Sequence, residues 1–209
     1  MTGGAPATPA GKASGSGRTA CAYVYAKKQS DVSDREQLST DVLVVGGGGA
    51  GICAAISAAE NGAQVILAEK LSQLGGATIL SGGAIPVVGT KQQTEAEVED
   101  SIFAMATDIL RPTNYTVRAD LVYTVAERAK ELIEWTEQKG VVWTLDERGR
   151  FGQTARRMHI AEGTGDGLVN TLIEHMAAQE SITQMLSFEI EGLVLDDSNA
   201  VAGAYGTYD

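Results

Sequence analysis

Two cysteines and two histidines are all that this chain has of either residue, and that scarcity removes whole classes of function. Cys21 and Cys53 are too few and too far apart for a disulfide framework or a CxxC metal site. His159 and His175 cannot complete a metal cluster with them at any standard ligand spacing, so no metal is expected. A reducing compartment, the cytoplasm, fits such thin cysteine usage. No apolar run approaches the ~18 residues that cross a bilayer, so no membrane span is expected. Basic residues are also short: Lys and Arg number 16 against 27 Asp and Glu, a net charge of -11. Nucleic acid and anionic membrane surfaces both demand a basic footprint, so neither is an expected partner. Nothing in length or hydropathy is unusual. A chain of 209 residues has room for one domain with a core of its own.

Glycine, by contrast, is plentiful and clustered. Residues 1–39 are rich in Gly, Ala, Ser, Thr and Pro without sustained periodicity, and are expected to form a disordered leader before a domain over 40–209. Val42-Leu43-Val44-Val45 then reads as a strand, followed at once by Gly46-Gly47-Gly48-Gly49-Ala50-Gly51. A helix over about 50–61 and a second strand, Gln64 to Ala68, complete a βαβ unit closed by Glu69. Each glycine has a task in such a unit. Gly46 permits the tight turn, Gly48 lets a pyrophosphate approach the main chain, and Gly51 lets helix and strand pack closely. The helix aims its N-terminal N–H groups and positive dipole end at the phosphates. Glu69 is placed to accept hydrogen bonds from the ribose hydroxyls of an adenosine. An acid there argues against a 2′-phosphate, and so against NADP, but does not separate FAD from NAD.

A second glycine-dense loop follows, Gly75-Gly76-Ala77-Thr78-Ile79-Leu80-Ser81-Gly82-Gly83. Thr94-Glu95-Ala96-Glu97 has the spacing of a capping box and predicts a helix with Val98, Ile102, Met105 and Ile109 inward, ending before Pro112. A helix over about 116–139 is predicted to bury Leu121, Val125, Ala129 and Leu132 and to stop at Gly140. Residues 141–145 read as a short strand, 146–150 as a turn, and 167–179 as a third helix. Strands are predicted over 182–188, 192–195 and 201–205, the last two joined by a turn at 196–199.

The glycine fingerprint with Glu69-Lys70, the GGATILSGG loop, and Arg156-Arg157-Met158-His159 ahead of Gly163-Thr164-Gly165-Asp166-Gly167-Leu168 together resemble the fumarate reductase/succinate dehydrogenase flavoprotein family. That family includes flavocytochrome c fumarate reductases, L-aspartate oxidase and 3-ketosteroid dehydrogenases. The resemblance covers residues 41–209. It implies an α/β fold: a Rossmann-like FAD-binding domain with a parallel sheet, a helical insertion and a β-hairpin or meander, truncated before the capping domain. A glycine-dense second loop suits such a domain, because backbone N–H groups can reach the flavin and phosphates without side-chain clashes.

Carried over by position, Gly46, Gly47, Gly48, Gly49, Ala50 and Gly51 line the pyrophosphate. Glu69 and Lys70 meet the adenosine ribose. Gly76, Ala77, Thr78, Ser81, Gly82 and Gly83 contact the flavin and phosphates, and backbone at Glu189 and Ile190 meets the adenine. Membrane-bound members carry a flavin-linked histidine in the second loop; Ala77 stands in that neighbourhood here, so the FAD is expected to be non-covalent. The resemblance implies an FAD-dependent oxidoreductase moving hydride to or from a C–C bond beside a carboxylate or carbonyl. Its substrate would be a small unsaturated acid or enone, with an electron-transfer partner. Ketosteroid dehydrogenation and a non-catalytic dinucleotide-binding module are the alternatives. The family's second glycine motif, cap and catalytic cations would follow residue 209, so the chain alone is expected to be inactive, and no catalytic residue is assigned. Arg157 is expected to be solvated or phosphate-facing, and His159 and His175 to lie on the surface.

Overall fold

The computed structural model describes residues 22–28, 35–147 and 152–208, and three sheets organise its strands. Strands β1 (Ala22–Lys28) and β2 (Arg35–Thr40) precede β3 (Val42–Val45), helix α1 (Gly49–Glu60) and β4 (Val65–Ala68). A short helix, α2 (Gly76–Ile79), and β5 (Ala84–Pro86) lead to α3 (Lys91–Glu95), α4 (Ile102–Leu110), a 3₁₀ turn at Arg111–Thr113 and α5 (Ala119–Glu137). Then come β6 (Trp143–Leu145), β7 (Met158–Ala161), α6 (Thr164–Ala177), β8 (Ile182–Met185), β9 (Phe188–Leu195) and β10 (Val201–Tyr208).

The βαβ unit forms where the sequence predicts it. β3, β4 and β8 make a parallel sheet in that order, with Val42 opposite Val65 and Val65 opposite Ile182. All four residues of β4 are buried, as a central parallel strand requires. Leu67, Ile52 and Ile56 reach zero exposure in the core shared by this sheet, α1 and α6. Each such side chain contributes roughly 1.5–3 kcal/mol by leaving water. At the far end of α1, the Glu60 carboxylate accepts from Trp135 Nε1 at 3.0 Å and pairs with Lys139, fastening α1 to α5. His175 on α6 stands 4.0 Å from the same carboxylate with a side chain 32% exposed, so it is half-buried rather than the surface residue expected.

Beside the parallel sheet lies a four-stranded sheet in the order β2-β1-β10-β9, with β1 parallel to β10. β1 and most of β2 come from the segment expected as a disordered leader; residues 1–21 and 29–34 lie outside the described residues. The β9–β10 hairpin closes where predicted, because Asp196 Oδ1 accepts from the N–H groups of Ser198 (2.8 Å) and Ala200 (3.0 Å). β5, β7 and β6 form a small antiparallel sheet. Of the turn predicted over 146–150, residues 148–150 are outside the described residues.

Two helical expectations fail. Thr94 is not a cap: it lies inside α3, whose start is capped by Thr90 Oγ1 accepting from Gln93 N at 3.2 Å. Glu97, with φ +52, breaks the run, and α4 starts anew where Ser101 Oγ accepts from Ala104 N at 3.1 Å. On α5 the period is right, but of the expected stripe only Ala129 is buried. Val122, Ala126, Ala129, Ile133 and Thr136 are buried, while Leu121 and Val125 are about half exposed and Leu132 is 37% exposed. Both stripes have helical spacing; packing of Val122 with Ala106 and Leu110 of α4 selects between them.

Candidate cofactor site

β3 and β4 run parallel and end side by side, which brings Gly46 and Glu69 together at the C-terminal end of the two strands. Gly46 takes φ +98, a torsion open to glycine, and its N–H donates to Ala68 O at 2.8 Å. Gly47 N–H donates to Glu69 Oε2 at 2.6 Å, and Leu71 N–H donates to Glu69 Oε1 at 2.8 Å. Glu69 is therefore buried and oriented by backbone on both oxygens, each of which keeps a further lone pair for a hydroxyl donor. A Cβ on Gly51 would lie 1.8 Å from Gly46 O, so this glycine permits the close approach of helix and loop.

The second glycine loop folds directly onto the first. Gly48 and Gly75 form a parallel bridge, Gly75 N–H donates to Gly47 O at 2.7 Å, and Gly49 N–H donates to Thr78 Oγ1 at 3.2 Å. Ser81 Oγ donates to Thr78 O at 2.7 Å and accepts from Gly83 N at 3.2 Å, which closes the loop on itself. Phe188 N–H donates to Glu69 O at 2.9 Å, so Glu189 and Ile190 on the edge strand β9 follow directly from the same corner. Lys70, Gly76, Ala77, Ser81 and Gly82 are exposed and Thr78 half-buried. The fold thus ties residues 46–51, Glu69-Lys70, the loop over 76–83 and the start of β9 into one connected corner.

What a ligand could do there is decided by two glycines. Every other glycine of the two loops has either a positive φ or a protein atom where its Cβ would be. Gly48 and Gly82 have neither: Gly48 sits at φ −74 and ψ 178, ordinary extended backbone, and a Cβ on either residue would meet no protein atom within 4 Å. Among the described residues nothing calls for glycine at these positions. A ligand that approaches the main chain does. Gly48 supplies no side-chain cap to α1 and the first turn carries no acid of its own; Thr78 Oγ1 takes the Gly49 N–H and Glu69 the Gly47 N–H, and the positive end of the helix dipole remains favourable to a phosphate. The residues present therefore fit a phosphate-bearing dinucleotide.

The model of the FAD-binding domain family matches residues 41–208. The chain belongs to that family. Urocanate reductase of Eggerthella lenta is 39% identical over 176 residues, covering 82% of this chain and 29% of that protein. A cytochrome-type fumarate reductase of Shewanella frigidimarina is 30% identical over 181 residues, covering 85% of this chain and 31% of that one. The open conformation of a flavocytochrome c3 fumarate reductase superposes with a TM-score of 0.73 at 32% identity, over 80% of this chain and 32% of the other. A 3-ketosteroid dehydrogenase of Rhodococcus jostii gives a TM-score of 0.71 over 88% of this chain and 45% of the other, at 23% identity, a likeness of fold. This FAD-binding domain thus spans about three tenths of the two curated relatives' lengths.

Arg157 and His159 are not where the sequence reading puts them. Both are wholly buried. Arg157 makes a two-pronged pair with Asp100 (Nε to Oδ2 2.8 Å, Nη2 to Oδ1 2.6 Å) and a second pair with Asp108 (2.5 Å). Burial pushes the two carboxyl pKa values up, but hydrogen bonds from Arg157, Ser101 and Thr154 and the guanidinium charge outweigh it and leave both below the usual aspartate range. His159 Nδ1 lies 2.9 Å from Arg157 O, a pure acceptor, so Nδ1 carries the proton and Nε2 accepts from Thr90 Oγ1 at 2.9 Å. Burial lowers the His159 pKa, consistent with that neutral form. These two residues hold α3, α4 and β7 together. Cys53, half-buried on α1, has its thiol pKa pushed up by burial, which makes it a poor nucleophile. Among the described residues no helix is long and apolar enough to cross a membrane, and no cluster of His, Cys, Asp and Glu is placed to hold a metal.

Gly163-Thr164-Gly165, at the start of α6, carries part of the family resemblance but no site role expected from its sequence. A Cβ on Gly83 would lie 2.4 Å from Thr164 C, and Gly165 N–H donates to Ser81 O at 3.1 Å, so this segment backs the second loop. Three glycines within five residues at a helix start was the signal available.

Proposed function

We propose that the corner formed by residues 46–51, 69–70, 76–83 and the start of β9 holds FAD non-covalently for an oxidoreductase of unsaturated carboxylic acids. The observation that carries the cofactor reading is the open space at Gly48, the residue that precedes α1, and at Gly82 in the second loop, where no described residue accounts for glycine. In this reading the 46–51 backbone and the α1 terminus bind the pyrophosphate. Glu69, already oriented by Gly47 and Leu71, accepts from the ribose hydroxyls, and Lys70 covers its edge. Gly76, Ala77, Thr78, Ser81, Gly82 and Gly83 carry the flavin end, and the outer backbone edge at Glu189 and Ile190 meets the adenine. Ala77 offers no side chain for a covalent flavin link.

When bound, the flavin supplies hydride transfer to or from carbon. The chain's own residues orient it and surround its phosphates with backbone donors. Urocanate and fumarate, the compounds in the relatives' names, both carry a C=C bond conjugated to a carboxylate, which supports an unsaturated acid over an enone as substrate class. The ketosteroid alternative has the likeness of fold behind it. The working enzyme also needs an electron-transfer partner, and we place it in the cytoplasm because of its low cysteine content. The FAD-binding unit comprises 40–209 together with β1, which completes the sheet of β10.

The test is an absorbance spectrum of the purified chain after incubation with FAD and desalting, repeated on the supernatant and pellet of an acid precipitation. Visible flavin bands that pass wholly into the supernatant are expected. A protein that stays colourless removes the cofactor reading, and flavin retained in the pellet removes the non-covalent one.

A further inference from the structure

We propose that the left-handed start of α6, Gly163-Thr164-Gly165, positions the cofactor by setting the path of the loop over 76–83, with Gly165 as the positioning residue. This rests on the FAD reading above and goes beyond it, since none of these three residues lies among those assigned to contact the cofactor.

Two consecutive residues at the start of α6 have positive φ, Gly163 at +72 and Thr164 at +62. A β-branched residue in that region is strained, and such strain persists only where surrounding structure holds it. Gly163 O accepts from Gly167 N–H within the helix and Glu162 N–H donates to Val142 O, and the remaining contacts are with the second glycine loop or its exit. Gly165 N–H donates to Ser81 O at 3.1 Å, and Ala161 N–H donates to Gly83 O at 3.0 Å. The fit is closest at Gly165: a Cβ there would lie 2.1 Å from Thr78 O, 2.6 Å from Ser81 Oγ and 2.7 Å from Ser81 O. Thr78 in turn holds Gly49 N–H, so the contact at Gly165 is one step removed from the loop that opens α1.

The loop is therefore clamped between two supports. Gly47 and Gly49 hold its first half, and the start of α6 holds its second. Between them, Leu80 is 87% exposed and a Cβ on Gly82 would meet open space. An added methyl at Gly165 forces loop and helix apart by roughly 1 Å, and a misplacement of about 1 Å in a positioned group is worth on the order of 10²-fold in function.

Gly167 supplies a matched control on the same helix start. A Cβ there would lie 2.0 Å from Glu162 O, an overlap with backbone of equal severity that does not involve the second loop. The experiment compares Gly165→Ala with Gly167→Ala in the full chain, recording thermal stability without FAD, FAD affinity by titration well below both transitions, and the visible spectrum of the bound flavin. Both variants should lose stability. Gly165→Ala should weaken FAD by at least about tenfold and alter the flavin bands, whereas Gly167→Ala should keep affinity within about threefold of the unaltered chain with an unchanged spectrum. Equal losses in both, or none in Gly165→Ala, overturn the proposal while the FAD reading stands. Absence of FAD binding by the unaltered chain removes both. Amide exchange of the unaltered chain gives a readout that needs no variant to fold. FAD should slow exchange at Gly165 together with the 76–83 loop, and unchanged exchange at Gly165 with FAD bound would also overturn it.

Discussion

Replacing Gly48 by serine should make the cofactor-free protein more stable and at the same time a much poorer FAD binder. Stability and binding are separable here because no atom of the described residues stands within 4 Å of the missing Cβ and the backbone torsions suit any residue. Removing a glycine restricts the unfolded chain, a gain of about 0.4–1 kcal/mol where the native torsions are compatible. Gly48 is also the N-cap of α1 and provides no side-chain oxygen; serine there adds a few tenths of a kcal/mol. About 1 kcal/mol in a domain of this size raises the melting temperature by roughly 2–4 °C. Binding suffers from the same hydroxymethyl group. It occupies the line of approach, and its oxygen takes first-turn N–H groups that the pyrophosphate needs. Hydrogen bonds to a charged partner are worth about 1.5–3 kcal/mol each. Losing one or two of them is a loss of about two decades in affinity. Calorimetry without FAD and a fluorescence titration with FAD measure the two halves separately. A variant that melts lower, or that binds FAD within about threefold of the original, would show that the vacancy at Gly48 is not a ligand approach.

Glu69→Gln should reduce stability by about 1–3 kcal/mol, read as a lower urea midpoint at unchanged slope, because the amide group must face either Gly47 N–H or Leu71 N–H and leave that donor unpaired. An unchanged midpoint would mean that the carboxylate is held by solvent rather than by the two loops. Arg157→Met should cost about 3–5 kcal/mol at neutral pH, since it strands the buried Asp100 and Asp108 carboxylates; near-neutral stability would refute the buried network. The folded pKa values of both aspartates lie below the ordinary value, so the stability they contribute is present above about pH 4 and lost as pH falls through the folded values. Chemical denaturation from pH 7 down to pH 2 should therefore show the Arg157→Met deficit shrinking below about pH 4, and a deficit that stays constant would contradict the assignment.

Segments whose structure is local were legible from the residues alone. An apolar run, a glycine turn, a helix and a second apolar run define β3, α1 and β4, because each signal lies within a few residues of the element that it creates. The acid that ends β4 and the glycine-dense loop after it were legible for the same reason, and so was the Asp196 turn. What required a partner from far along the chain was decided only by the tertiary structure. α5 carries two apolar stripes with the same period, and only packing against α4 buries Val122 rather than Leu121. Arg157 reads as a solvent cation until Asp100 and Asp108, both some fifty positions away, close around it. β1 reads as leader because its parallel neighbour, β10, lies at the opposite end of the chain. The glycines of the two loops look alike in a string of letters. Which of them avoid a neighbour and which leave room for a ligand depends on where Thr78, Leu74 and the start of α6 come to rest, and no local pattern encodes that.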